Sequence, residues 1–199
     1  VDFHVKENEN NQADIEFVVD EGDKLKIKKI RFEGNTDYSD ETLKKLMETS
    51  EKGFFSWITS SGEYVPEDLE QDIEKLNAFY LNNGYMQARV ADPEIEFKDQ
   101  WIYLTIKIFE GPRYKVGTVD VSGDIIVPRQ ALMETVQIGR EDYFNRNVIQ
   151  EDIMKITELY ADEGYAYPDI SPLIEQDHES LKANIIYDIN TGISIFSNK

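Results

Sequence analysis

The residues whose types could do chemistry are few in kind. The chain has 2 histidines, His4 and His178, 40 aspartates and glutamates, and no cysteine. A Ser-His-Asp hydrolase needs its histidine held between nucleophile and acid. Here both histidines fall in or beside expected hairpin turns, and there is no Gly-x-Ser-x-Gly run. The missing cysteines exclude thiolate catalysis and a disulfide framework. The stretch 8–14, AsnGluAsnAsnGlnAlaAsp, has oxygen ligands without the spacing of a calcium loop and its closing glutamate, so it reads as a turn. No glycine-rich loop is placed to cradle phosphate. The carboxylates fall on the polar faces of expected helices, where solvated surface is the plain reading. Neither catalysis, nor a cofactor, nor a bound metal is expected.

Charge narrows the partners. A net charge of −19 and a pI near 4.4 repel nucleic acid and disfavour flat docking on an anionic bilayer. No stretch approaches the ~20 apolar residues of a membrane-spanning helix. The first residue is Val1, which suggests a piece of something longer.

What remains is the chemistry of unpaired backbone. The runs 87–97 and 169–175 contain Pro93 and Pro172, and proline cannot donate to a ladder, so each run is expected at a sheet edge. An edge presents a row of free N–H and C=O groups on which an extended peptide can add as another strand. The candidate residues are Gln87, Ala88, Arg89, Val90, Ala91, Glu94, Ile95, Glu96 and Phe97. Prolines and charges such as Arg89, Asp92, Glu94 and Glu96 are also the usual protection against edge pairing, so recruitment and protection both stand. A second candidate is the aromatic loop at 51–65. Its Phe54, Phe55, Trp57 and Ile58 either close the core or form an exposed apolar contact patch.

The elements that position these runs are set by an internal repeat. In residues 66–85, Leu69, Ile73, Leu76, Phe79 and Tyr80 recur at helical spacing, Pro66 suits the first turn, and Gly84 suits the left-handed cap. The pattern returns at 151–165: Asp72, Ile73, Lys75, Tyr80 and Gly84–Tyr85 match Asp152, Ile153, Lys155, Tyr160 and Gly164–Tyr165, each 80 residues on. Earlier in each unit the offset is 89, as between Gly34 and Gly123, because the second unit has a shorter first loop. Strand patterns at 25–32, 89–97 and 101–109, with Ser39 capping a short helix, give the order β-α-α-β-β. The second unit repeats that order, its short helix opened by Pro128 and its last strand at 181–189. The predicted fold is α+β: tandem β-α-α-β-β repeats, each a three-stranded mixed sheet covered by two helices, the third strand central. The predicted divisions are 1–22, the closing hairpin of a preceding unit; 23–111 and 112–192, two full units; and 193–199, the start of another unit or a tail.

A β-α-α-β-β unit that closes in Glu110–Gly111 and reopens in LysIleArgPheGluGlyAsn (29–35) resembles the polypeptide-transport-associated (POTRA) repeat. The runs PheTyrLeuAsnAsnGlyTyr (79–85) and TyrAlaAspGluGlyTyrAlaTyrPro (160–168) resemble the third and fourth such repeats of the BamA family, the outer-membrane protein assembly insertases. The resemblance spans nearly the whole chain, although the family's β-barrel and barrel-proximal repeat are absent from it. It implies a non-enzymatic scaffold on the periplasmic side of the bacterial outer membrane. Its implied partners are unfolded outer-membrane β-barrel proteins and accessory assembly lipoproteins, bound by strand addition. Given the resemblance, recruitment is expected at 87–97 and protection at 169–175. POTRA segments of two-partner secretion or translocation transporters are the alternative. The short link at 109–113, with Pro112, predicts a semi-rigid rod.

Overall fold

The computed structural model describes residues 2–8, 12–18, 25–53, 62–165 and 167–192. Two strands open the chain, β1 (Asp2–Asn8) and β2 (Gln12–Val18), paired antiparallel from Asp2↔Val18 to Asn8↔Gln12. His4 sits within β1 opposite Glu16 rather than at the turn.

The first full unit runs β3 (Lys26–Glu33), α1 (Asp40–Lys44), α2 (Pro66–Asn82), β4 (Arg89–Val90), β5 (Glu94–Lys98) and β6 (Trp101–Phe109). β6 is central: β3 lies parallel to it on one side, and β4 and β5 antiparallel on the other. The second unit repeats this with β7 (Lys115–Gly123), α3 (Arg129–Thr135), α4 (Arg146–Asp162), β8 (Asp169–Asp177) and β9 (Lys182–Asn190). There β9 is central, parallel to β7 and antiparallel to β8. The predicted mixed sheets with the third strand in the middle are therefore present. A 3-10 turn at Ile138–Arg140, not expected from the sequence, lies between the second pair of helices.

Each first strand carries the same irregularity. The apolar spacing Ile27, Ile30, Phe32 is not strict alternation, and the ladder shifts between Ile27 and Lys29. That bulge turns both Lys28 and Lys29 to solvent while Ile27 and Ile30 stay buried. In β7 the ladder shifts between Val116 and Val119, which lie 89 residues after Ile27 and Ile30.

The helices form where local chemistry favours them. Ser39 accepts the Thr42 N–H at 3.2 Å, with Asp40 and Glu41 in the positive first turn of α1. Asn145 caps α4 by accepting from Asn147 and Val148. Leu69, Leu76 and Tyr80 bury one stripe of α2 against Ile102, Leu104 and Ile106 of β6; Ile149, Ile156 and Tyr160 do the same in α4 against Ile185, Tyr187 and Ile189. Each unit thus has its own core.

That stripe also holds a carboxylate. Asp72 and Asp152 are fully buried, a departure from the solvated helix faces expected of the acidic residues. Asp72 accepts the Glu48 and Thr49 N–H groups, both at 2.8 Å, and a 3.3 Å bond from Lys75. Asp152 accepts from the Gln137 and Ile138 N–H groups at 2.8 and 3.0 Å and from the Tyr187 hydroxyl at 2.9 Å. Each carboxylate therefore caps the chain leaving the short helix, satisfying donors that burial would otherwise orphan. Next to its carboxylate and in the interior, the Tyr187 hydroxyl is pushed well above its usual pKa, by burial first and then by Asp152.

Candidate functional site

Backbone pairing decides which part of each edge is open. In the first unit the predicted segment divides at Pro93. The Gln87 side-chain amide donates to the Tyr114 hydroxyl and to Gln176 Oε1, both at 3.2 Å, so this side chain belongs to the contact between units. Ala88 packs on the first core. Arg89 and Val90 pair with Phe109 and Ile108, and the Val90 N–H donates to Asn77 Oδ1 of α2 at 3.0 Å. Ala91 donates to the Lys107 carbonyl at 2.9 Å. Residues 87–91 thus have little to offer an added strand.

The open edge is β5. A two-residue turn, Asp99–Gln100, joins it to β6, with Lys98 opposite Trp101. Such a turn is closed by a hydrogen-bonded pair, and these alternate along an antiparallel ladder. Glu94, Glu96 and Lys98 therefore turn their backbone groups to β6, and Ile95 and Phe97 turn theirs outward. The side chains of Ile95 and Phe97 are exposed as well, at 37% and 59%. Lys107 bonds Glu94, which raises the lysine's pKa, and Lys98 pairs with Glu96 at 2.9 Å. Phe54, Phe55, Trp57 and Ile58 lie outside the described residues.

The second edge, β8, has nine residues in continuous register with β9, against five in β5. Alternation from the Asp177↔Lys182 pair that closes its hairpin puts Ile170, Pro172, Ile174 and Gln176 on the outward row. Pro172 leaves a gap in that row without weakening the ladder to β9.

A second constellation lies where the units meet. The Arg113 guanidinium stacks on the Tyr143 ring, 3.5 Å from its centroid, and stands 5.5 Å from that of Tyr85. Its Nε donates to the Asn83 carbonyl at 2.7 Å. The Tyr114 N–H donates to the Gly84 carbonyl at 2.8 Å, and the Asn147 N–H donates to Asn82 Oδ1 at 3.1 Å. Gly84 has φ +92°, and a Cβ there would lie 2.9 Å from the Tyr114 carbonyl oxygen and 3.2 Å from Tyr143 Cβ. Two requirements meet at this residue: a left-handed helix end and close approach of the second unit. His178 bonds the Tyr114 hydroxyl through Nδ1 at 2.7 Å, a structural role for the histidine.

The Glu-Gly junction has a physical reason. Glu110 is buried and accepts from the Tyr80 hydroxyl at 2.9 Å, the Thr36 N–H at 2.9 Å, the Thr36 hydroxyl and the Asp37 N–H. It ties the end of β6 to the turn after β3. Burial, and then Glu110, push the Tyr80 hydroxyl well above its usual pKa. Asp72, Asp152 and Glu110 all bond structural donors, so the arrangement holds shape and presents edges.

Known proteins agree with this architecture. The POTRA family model, described as surface antigen variable number repeat, matches residues 25–111 and again 114–192. The outer membrane protein assembly factor BamA of Nitratidesulfovibrio vulgaris is 33% identical over 185 residues, 91% of this chain and 23% of that protein. BamA of Neisseria meningitidis serogroup B is 33% identical over 192 residues, 95% and 24% of the two chains. This chain therefore spans about a quarter of the length of these curated relatives. The crystal structure of the POTRA3-5 segment of Haemophilus influenzae BamA superposes with a TM-score of 0.69 at 20% identity, covering 90% of this chain and 71% of that one, which supports the fold. Doubled match, repeated topology and matched buried carboxylates agree: this chain belongs to the POTRA family.

Proposed function

We propose that the chain is the periplasmic POTRA segment of a BamA-like outer-membrane protein assembly insertase and works there as a non-enzymatic scaffold. Its divisions are those expected from the sequence, with 23–111 as a third-like and 112–192 as a fourth-like repeat, 1–22 closing a preceding repeat, and 193–199 opening another repeat or forming a tail. In the full-length protein a C-terminal β-barrel sits in the outer membrane. Unfolded outer-membrane proteins and accessory lipoproteins bind by adding a strand to a sheet edge. The observation that carries this reading is β5: an exposed edge whose outward groups at Ile95 and Phe97 belong to residues with exposed apolar side chains. Main-chain bonding there tolerates many client sequences. β8 is the protected edge, interrupted by Pro172.

The test is an NMR titration with a peptide from an outer-membrane β-barrel strand. Amide shifts are expected at 94–98 and not at Val90, whose N–H already bonds Asn77. Ile95→Pro removes an outward donor and leaves the ladder to β6 intact, so it should weaken the response. No shifts at millimolar peptide, or an unchanged response in Ile95→Pro, would overturn strand addition at this edge.

A further inference from the structure

The two faces of the first unit carry opposite charge. Glu67, Glu70 and Glu74 stand exposed on α2, on the helical side. The opposite face is the outer surface of the sheet, where Lys29 and Arg31 of β3 lie in cross-strand rows with Tyr103 and Thr105 of β6 and with Glu96 and Glu94 of β5. Two carboxylates of this face are already engaged: Glu96 pairs with Lys98 and Glu94 bonds Lys107, while Glu33 acts on Lys107 through charge alone. Lys29 and Arg31 form no ion pair with any described residue. Glu51 accepts the Ile30 N–H and the Lys44 ammonium, and Lys29 acts on it through charge without an ion pair. Between these two cations, Tyr103 and the Glu96–Lys98 pair runs a groove of about 170 Å³. Just beyond it, the ammonium groups of Lys28 and Lys52 each lie 4.7 Å from the Trp101 ring centroid, adding positive charge at that end.

We propose that this outer sheet face is a docking strip for an extended acidic segment of a partner protein. Carboxylates two residues apart in the segment meet Lys29 and Arg31. The spacing argues for a polypeptide. Lys29 and Arg31 are alternate residues on one face of a strand, about 6.6 Å apart along it, and an extended peptide repeats its same-side side chains at that interval. Arg31 offers a planar fork to one carboxylate, and Lys29 a point charge to the next. Lipid headgroups and nucleic acid match the charge, but both meet a body of net charge −19, which repels an extended anionic surface far more than a short segment. The strip is separate from the outward row of β5, so its success or failure is independent of strand addition.

An NMR titration of the 199-residue chain with an eight-residue peptide of alternating Glu and Thr tests it. Shifts are expected at Lys29, Arg31, Tyr103 and Thr105. The double variant Lys29→Gln/Arg31→Gln, both exposed positions, should bind at least about tenfold more weakly, as for loss of charge-assisted bonds. Lys182→Gln on the second sheet should change nothing. A peptide with the same composition but paired glutamates should bind less well than the alternating one. Equal binding of an alternating Gln and Thr peptide, or undiminished binding by the double variant, would overturn the proposal. So would capture by phosphatidylglycerol vesicles that depends on the same two cations and exceeds binding of the peptide.

Discussion

The two repeats share their anchors and differ in their ties and edges. Tyr80 and Tyr160, 80 residues apart, both end at the junction of first turn and last strand, but on different partners. In the first unit the carboxylate belongs to the end of the last strand: Glu110 accepts from Thr36 and Asp37 in the turn. In the second unit it belongs to the turn: Asp124 accepts from the Thr191 N–H and hydroxyl at 3.1 and 2.9 Å, and Tyr160 donates to the Asp124 carbonyl at 2.8 Å. Thr191 occupies the place of Glu110, one residue before the closing glycine. Donor and acceptor have exchanged sides and the tie remains. What the fold requires is a hydrogen bond between these two chain segments, and either side can supply the charge. The edges diverge more: β5 is short with its donors intact, and β8 is long with Pro172 in its outward row.

The sharpest way to break the comparison is through the anchors. Asp72→Ala and Asp152→Ala each leave one buried and one part-buried backbone N–H group without an acceptor, and Asp152→Ala also strands the Tyr187 hydroxyl. Each should cost about 3–5 kcal/mol, near the upper range for single substitutions. Amide hydrogen exchange read at β6 and β9 separates the units. Asp152→Ala should expose β9 and spare β6, and Asp72→Ala the reverse. Loss at both strands from either change would mean that the cores are not independent.

Next in size is the junction. Gly84→Ala forces an alanine to φ +92° and drives its Cβ against the Tyr114 carbonyl, and the strain alone costs about 1–2 kcal/mol. Gly164→Ala, at φ +91°, measures the helix-end strain away from this contact. Gly84→Ala should destabilise more, and small-angle scattering should show a broader range of angles between units. Equal losses with unchanged scattering would mean that the close approach is not what holds the units.

How far the sequence alone reached can be judged from these same residues. Strand order, the 80-residue repeat, the Gly84 cap and edge placement came from apolar periodicity and proline, which act locally. Asp72 and Asp152 were legible but missed: they sit three residues after Leu69 and Ile149, on the buried stripe, and they match each other. Their polarity hid them, because burial depended on N–H groups some 14 to 24 residues away. The Asn77 bond to Val90 and the Gln87 contacts with Tyr114 and Gln176 were not legible. Side-chain partners brought together by folding leave no periodic trace in a sequence.

The edges give a smaller effect, read in binding. Pro172→Val restores a donor to the outward row of β8 and should create a second site of peptide-induced shifts around 170–176. Its affinity should come within about fivefold of β5's, a difference of roughly 1 kcal/mol or one hydrogen bond. Silence at β8 in this variant would show that the proline is not what closes that edge.

The smallest effect separates the two ties by pH. Asp124 is exposed, and the Thr191 N–H, then its hydroxyl, hold its carboxyl below the ordinary value of 3.8. A carboxyl that is more acidic in the folded chain than in the unfolded one stabilises the fold above the unfolded value. That contribution is lost as pH falls through the folded value. The tie of the second unit should therefore hold from neutrality to about pH 4 and weaken below it. Asp124→Asn keeps an acceptor for Thr191 but cannot titrate, so it should remove that part of the acid dependence with little loss at pH 7. The readout is exchange protection at the Thr191 amide between pH 5 and 3, corrected for intrinsic rates. Identical curves for the parent and Asp124→Asn would show that charge adds nothing to this tie, and that the exchange of sides between the repeats is a matter of hydrogen bonding alone.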